Sequence, residues 1–235
     1  MSVAVIVGVG PGLGSALCRR FASEGYAVAA IARTKAKVDA ALTDIGTYNA
    51  RGMGITADAT VPAEVTRAMA AIQAELGTPD VVVYNAGAFE MASLLELTPE
   101  RFEQLWRANC FGGFLWAQAA IPAMVERESG SVIFTGATGS VRGSARFAGL
   151  AVGKFGLRAV AQSAAREFGP KGVHVAHVII DGMIDTPQVR EWMPDRDPAT
   201  LLDPDSIAET YWHLHQQPKT CWTHELDMRP STETF

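Results

Sequence analysis

Five predominantly apolar runs set the rhythm of the chain: Val3 to Val7, Val28 to Ala32, Val81 to Tyr84, Val132 to Thr135 and Val173 to Ile180. Runs of this length and kind suit strands covered on both faces. Met53 to Ala57 is a weaker sixth. Between them apolar positions recur at helical spacing. Leu13, Leu17 and Phe21 fall at i, i+4 and i+8 and share one face, and Gly25 supplies a stop. Thr98-Pro99-Glu100 opens a later helix with a good N-cap, a proline at the first helical position and an acid at the positive end of the dipole. Long helices are expected over 99–126 and 148–168, and a C-terminal one near Pro204 to His215. This alternation predicts an α/β fold, a single doubly wound parallel sheet with helices on both faces. No repeat or linker marks a second domain. Residues 1–235 are therefore expected to form one domain, with 187–235 forming a substrate-side lid and a C-terminal segment.

Composition narrows the function classes. The 235 residues are 48% hydrophobic without a low-complexity run, which argues against disorder. A net charge of -5 argues against a nucleic-acid partner. Met1-Ser2 runs into Val3 to Val7 with no basic leader, and that run is too short to span a bilayer, so a cytoplasmic protein with no membrane partner is expected. Cys18, Cys110 and Cys221 are odd in number and scattered, as reduced thiols would be. Of the five histidines only His213 and His215 are close, and a spacing of two puts them on different faces of a helix, so no metal site is expected. Trp192, Trp212 and Trp222 suit a pocket or core better than base stacking.

The first apolar run ends in Gly8-Val9-Gly10-Pro11-Gly12-Leu13-Gly14. A glycine-rich turn from a strand into a helix exposes backbone N–H groups at a helix N-terminus, where a pyrophosphate can sit. The spacing Gly8-x-x-x-Gly12-x-Gly14, followed in order by Asp58, Asn85-Ala86-Gly87, Asn109, Lys154 and Gly182-Met183-Ile184-Asp185-Thr186, resembles the short-chain dehydrogenase/reductase family. The resemblance runs from Val3 to about Thr186. It implies a Rossmann-type sheet and a nicotinamide dinucleotide held by Gly8, Gly12, Leu13, Gly14, Arg33, Asp58, Ala59, Asn85, Ala86, Gly87, Lys154, Gly182, Ile184 and Thr186, with Asp58 at the adenine and residues 182–186 clamping the nicotinamide. It also implies Asn109 and Lys154 in the active site. Two departures are visible: Asp181 stands where a proline is usual, and Glu225-Leu226-Asp227-Met228-Arg229-Pro230 replaces a Val-Asp-Gly-Gly type ending. NAD selectivity needs an acid after the second strand; the chain has Ala32-Arg33-Thr34 there, and Arg33 can grip a 2′-phosphate, so NADP is expected over NAD.

The same resemblance exposes a gap. The family's proton-transferring tyrosine lies four residues before its lysine, and a serine thirteen before the tyrosine. Here those positions are Leu150 and Ala137, which can neither donate nor accept a proton. Three readings stay open. A relocated acid could serve, with Thr138, Ser140, Ser144, Arg142, Arg146, Tyr84 and His177 near. Lys154 with water could protonate a reactive substrate. Or the chain could be a catalytically inactive nucleotide-binding sensor or partner subunit. The reading carried forward is an NADPH-preferring short-chain oxidoreductase acting on a small carbonyl, alcohol or related small-molecule substrate. Met91, Trp192, Met193 and Trp222 to Leu226 point to a largely apolar pocket. Alanine- and glycine-rich faces on helices 99–126 and 148–168, which pair between subunits in the family, lead to an expected homodimer or homotetramer.

Overall fold

The computed structural model describes residues 1–233; Thr234 and Phe235, the end of the expected C-terminal segment, lie outside the described residues. Seven strands form one parallel sheet: β1 (Val3–Val7), β2 (Ala27–Ala32), β3 (Gly52–Thr56), β4 (Val81–Tyr84), β5 (Gly130–Thr135), β6 (Val173–Ile180) and β7 (Glu225–Met228). Their spatial order is β3-β2-β1-β4-β5-β6-β7. The chain works outward from β1 to β3, then returns to β4 on the other side of β1 and works outward again. The gap between β1 and β4 is thus the topological switch point, where a crevice opens at the carboxyl ends of the strands.

Helices cover both faces. Alternate strand residues point to opposite layers. Val3, Val5 and Val7 join a core with α3 (Pro62–Glu75), α5 (Gly112–Glu126) and α6 (Ala148–Phe168), whose contributions include Met69, Trp116 and Leu157. Ala4 and Ile6 join the opposite core with α1 (Leu13–Ser23), α2 (Lys35–Gly46) and α8 (Pro204–Gln216), through Leu17, Phe21, Ile45 and Tyr211. Helix α8 also locks onto α1 through Arg19–Asp205 at 2.6 Å, an Arg20–Glu209 pair, and edge-on packing of Trp212 against Phe21 and Tyr26.

The expected strands and long helices are present, with two corrections. Helix 99–126 is not one α-helix. After α4 (Pro99–Trp106), which Thr98 caps by accepting from the Arg101 amide, a π-helical turn spans Arg107–Phe111 before α5 begins. The wider turn rotates Asn109 into the interior, where it is fully buried. The segment from Trp222 to Leu226, expected at the substrate pocket, instead leads into and begins β7. Trp222 stacks flat on His174 at 4.9 Å, at the amino end of β6, because β7 runs parallel to β6 with His177 opposite Glu225. The short helix α7 (Pro187–Trp192) lies between β6 and α8.

Candidate active site

The crevice floor is built by glycines. Gly8 leaves β1 with φ +95°, and a Cβ there would lie 2.5 Å from both N and Cα of Ala86. The Asn85 side-chain amide donates to the Gly8 carbonyl at 3.0 Å, so the ends of β1 and β4 are tied by backbone contact and one side chain. Gly12 has φ +106°, and its Cβ would press on the Thr186 methyl at 2.6 Å; a Cβ on Gly14 would meet the Gly8 carbonyl oxygen at 2.6 Å. Only glycine meets these demands. Gly12 is also the N-cap of α1 and has no side chain to cap it, so the first-turn amides, including those of Leu13 and Gly14, present a positive helix end to the crevice. The Leu13 side chain is buried in the core.

Around that floor stand the other predicted binding residues. Arg33 is exposed just after β2. Lys37, which sequence reasoning passed over, lays its chain along the glycine turn, its Cδ and Nζ 3.6 and 3.9 Å from where a Gly10 Cβ would be. Its signal was its place one helical turn after Arg33. Asp58 follows β3, and its Oδ1 accepts from the Thr60 amide and hydroxyl at 2.8 Å each. Ala59 beside it is buried. Beyond β6, Gly182 turns at φ +148°, Ile184 bridges to Leu202, and the Thr186 hydroxyl caps α7 by accepting from Val189 at 3.2 Å.

Lys154, Asn109 and Gly87 meet at one end of the crevice. Lys154 is buried, and its ammonium donates to the Thr135 carbonyl at 2.7 Å. Burial pulls its pKa down to about 8. The Asn109 amide donates to the Ala88 carbonyl at 2.7 Å and accepts from the Ala88 N–H at 3.2 Å, holding the loop after β4. A Cβ on Gly87 would sit 3.0 Å from Asn109 Oδ1 and 3.7 Å from Lys154 Nζ, so no bulkier residue fits between them. Leu150 and Ala137 are both half-buried, and Leu150 packs towards Gly139 of the loop after β5.

The candidates for a relocated acid separate into three groups. Tyr84 is fully buried and donates to the Ala108 carbonyl at 2.8 Å; burial pushes its phenol far up. Ser140 and His177 are also sealed from solvent. Ser140 Oγ lies 3.2 Å from His177 Nε2, His177 Nδ1 lies 3.0 Å from Glu225, and Glu225 takes a forked pair from Arg158 at 2.7 and 2.6 Å. The order hydroxyl–imidazole–carboxylate is that of a nucleophile triad. Here the hydroxyl also accepts from the Ala137 amide and is closed off, so the chain of bonds anchors the loop after β5 to β6, β7 and α6. Arg142, Ser144 and Arg146 are exposed on the far limb of that loop. Thr138 is half-buried, and its hydroxyl donates to Asp181, whose other oxygen lies 3.3 Å from Arg229.

Comparison with known proteins decides the family, since residues 2–197 match the short chain dehydrogenase family. The chain belongs to the short-chain dehydrogenases. That makes it an NAD(P)-dependent oxidoreductase by descent and fold. A short-chain dehydrogenase/reductase of Armillaria gallica is 35% identical over 188 residues, 79% of this chain and 72% of that protein. The crystal structure of a short-chain dehydrogenase from Rhodopseudomonas palustris is 37% identical, with a TM-score of 0.84 over 97% of this chain and 98% of that one. A metagenomic short-chain oxidoreductase solved in complex with NADP is 26% identical, with a TM-score of 0.85 over 98% and 97%. Among the described residues of this short-chain dehydrogenase, no helix is long and apolar enough to cross a membrane, and no cluster of three or more His, Cys, Asp or Glu is arranged to hold a metal.

The sealed imidazole carries a pH signature. Burial lowers the pKa of His177 from 6.5 to about 4, against the opposing pull of Glu225. An unfolded chain protonates this ring below about pH 6.5, the folded one only near 4, so the unfolded state holds more protons between those values and acid favours unfolding. His215, also lowered to about 4 by burial, acts with the same sign. Stability present above pH 6.5 should therefore fall by about 2 kcal/mol through His177 alone on reaching pH 5. Urea unfolding at pH 7.5 and pH 5 measures this. A midpoint unchanged between them would contradict a buried neutral imidazole.

Proposed function

We propose that this short-chain dehydrogenase turns over as an NADP(H)-preferring oxidoreductase on a small carbonyl, alcohol or related substrate. The observation that carries the reading is the meeting of the glycine floor with the Lys154–Asn109–Gly87 corner in one crevice at the β1/β4 switch point. Gly8, Gly12 and Gly14, with the amides of Leu13 and Gly14, would hold the pyrophosphate, Asp58 and Ala59 the adenine end, and Asn85 to Gly87, Lys154, Gly182, Ile184 and Thr186 the nicotinamide end. When bound, the nicotinamide supplies or accepts the hydride. Lys154 and Asn109 orient that end of the site and exclude bulk from it.

Two cations support the preference for NADP. Arg33 just after β2 and Lys37 along the glycine turn supply positive charge that would pair with a 2′-phosphate, and no acid directly follows β2 to bind a 2′-hydroxyl. The relative solved with NADP supports the same choice. On the substrate side, exposed Met91, Trp192 and Met193 supply apolar surface for a lid formed by the first part of segment 187–235. Buried Cys18 and Cys110, unpaired, suit a reducing cytoplasm. Exposed Phe114 on α5 with Val152 and Phe155 on α6 suit a homodimer or homotetramer built on those helices.

Three outcomes are expected. Arg33→Ala should raise the NADPH Kd at least about tenfold, the weight of one charge-assisted phosphate contact, and leave NADH nearly unchanged; calorimetric titration showing equal wild-type affinity for NADH and NADPH would remove the argument from Arg33. Absorbance at 340 nm should report turnover with NADPH and a panel of carbonyls, diones, quinones and imines, or with NADP and the matching alcohols, and Lys154→Met should lower it at least about 100-fold. Tight NADPH binding without turnover on either panel would instead identify a sensor or partner subunit, one of the readings that aliphatic Leu150 and Ala137 leave open. Light scattering at micromolar concentration should give a dimer or tetramer, and a monomer there would count against the α5–α6 interface.

A further inference from the structure

We propose that Thr138 and Asp181 form the proton-accepting pair of this site, and that they select an alcohol over its carbonyl; this rests on the dinucleotide-dependent oxidoreductase reading above. The pair sits where the other oxygen-handling groups are missing. Thr138 follows Ala137 directly and lies three residues beyond Thr135, whose carbonyl anchors Lys154. Asp181 directly follows β6, its amide donating to the Met228 carbonyl at 2.8 Å, and is followed at once by Gly182 of the expected nicotinamide clamp. Both residues therefore follow the carboxyl ends of adjacent strands, β5 and β6, and β5 also carries the Thr135 carbonyl that holds Lys154. Ser140, two positions on, is sealed and bonded to His177, whereas Thr138 is half-buried.

The direction of one hydrogen bond sets the chemistry. A hydroxyl has one proton and two lone pairs. The Thr138 proton goes to Asp181 Oδ1, and Arg229 lies 3.3 Å from Asp181 Oδ2 while also pairing with Asp227 at 2.5 Å. With that proton committed, half-buried Thr138 has only lone pairs left to offer a substrate, and its chain neighbour Ala137 is aliphatic. A carbonyl has no proton to give that lone pair; an alcohol has. In oxidation the alcohol O–H bond breaks and its proton bonds to Thr138 Oγ1, while the proton already on Oγ1 passes to Asp181 Oδ1. The carbinol carbon gives up its hydrogen with the bonding electron pair to the oxidised nicotinamide and becomes a carbonyl carbon. The carboxylic acid left at Asp181 returns its proton to water. Reduction is the same path in reverse and needs Asp181 protonated first.

The test uses the whole chain and three alcohols, cyclohexanol, benzyl alcohol and 1-phenylethanol, with NADP. Thr138→Val, which keeps the shape and removes the hydroxyl, should lower kcat at least about 100-fold, and Thr138→Ser should recover most of that loss. Asp181→Asn should lower kcat as the valine does. NADP affinity should stay within about twofold in every variant, since neither group holds the dinucleotide. A second readout needs no dinucleotide. In saturation-transfer NMR on the chain alone, cyclohexanol should give a signal that cyclohexanone does not, and Thr138→Val should abolish the difference. Should Asp181→Asn fail to fold, the Thr138 variants decide the matter. Wild-type oxidation by Thr138→Val, or equal NMR signals from cyclohexanol and cyclohexanone, would overturn the pair. Failure to bind NADP would sink the broader reading, and the NMR comparison would still judge this one.

Discussion

The whole site depends on how closely the ends of β1 and β4 approach one another. Gly8 and Ala86 are in backbone contact, and Asn85 bonds the Gly8 carbonyl across the join. Side-chain volume at Gly8 would part the two strands at the switch point, and with them the helix end that faces the crevice and the loop that carries Gly87. Gly14 extends the same condition inward and Gly12 extends it sideways to Thr186. A sheet of buried Val, Ile and Ala can be repacked at modest cost, because volume-conserving swaps are tolerated. The contact at Gly8 has no such latitude: positive φ and missing space forbid the same substitution independently.

A second layer of constraint fixes what happens at the far end. Asn109 reaches Ala88 only because a π-helical turn rotates it inward, and Lys154 reaches Thr135 only because Gly87 and Gly153 leave room beside Asn109. Such turns recur at functional places in helices. The loop after β5 is held from below by the chain Ser140–His177–Glu225–Arg158, and from the side by Thr138–Asp181–Arg229. Buried polar groups are costly unless fully bonded. The imidazole of His177 has a partner at each nitrogen, which is why a polar chain can run through this layer.

Much of this was legible in the sequence. Continuous apolar runs located the strands, since a strand covered on both faces has little choice of residue. The glycine turn, Asn85-Ala86-Gly87 and Lys154 could be read because each motif is local. Other features were not legible, for physical reasons. Strand β7, Glu225–Met228, alternates polar and apolar in four residues and sits at a sheet edge, so it carries no run. The π-helical turn has no composition of its own. Ser140, His177 and Glu225 lie 37 and 48 positions apart, and Thr138 and Asp181 lie 43 apart, so nothing local announced that they touch. Trp222 read as pocket-lining because aromatic residues fit pockets and cores alike, and only the register of β7 on β6 assigns it to His174.

Strand β7 also has a bearing on the order of events during synthesis. Glu225 closes the bonded chain beneath the loop after β5, yet it belongs to the last strand to leave the ribosome, after every other strand of the sheet. Parallel pairings across long sequence separations form late, because the loop between them must close first. The glycine floor of the crevice, drawn from β1 and β4, can therefore take shape on a nascent chain while the loop after β5 is still slack. Formation of the glycine floor and of the loop after β5 is staggered in time, and Glu225 of β7 acts as the latch.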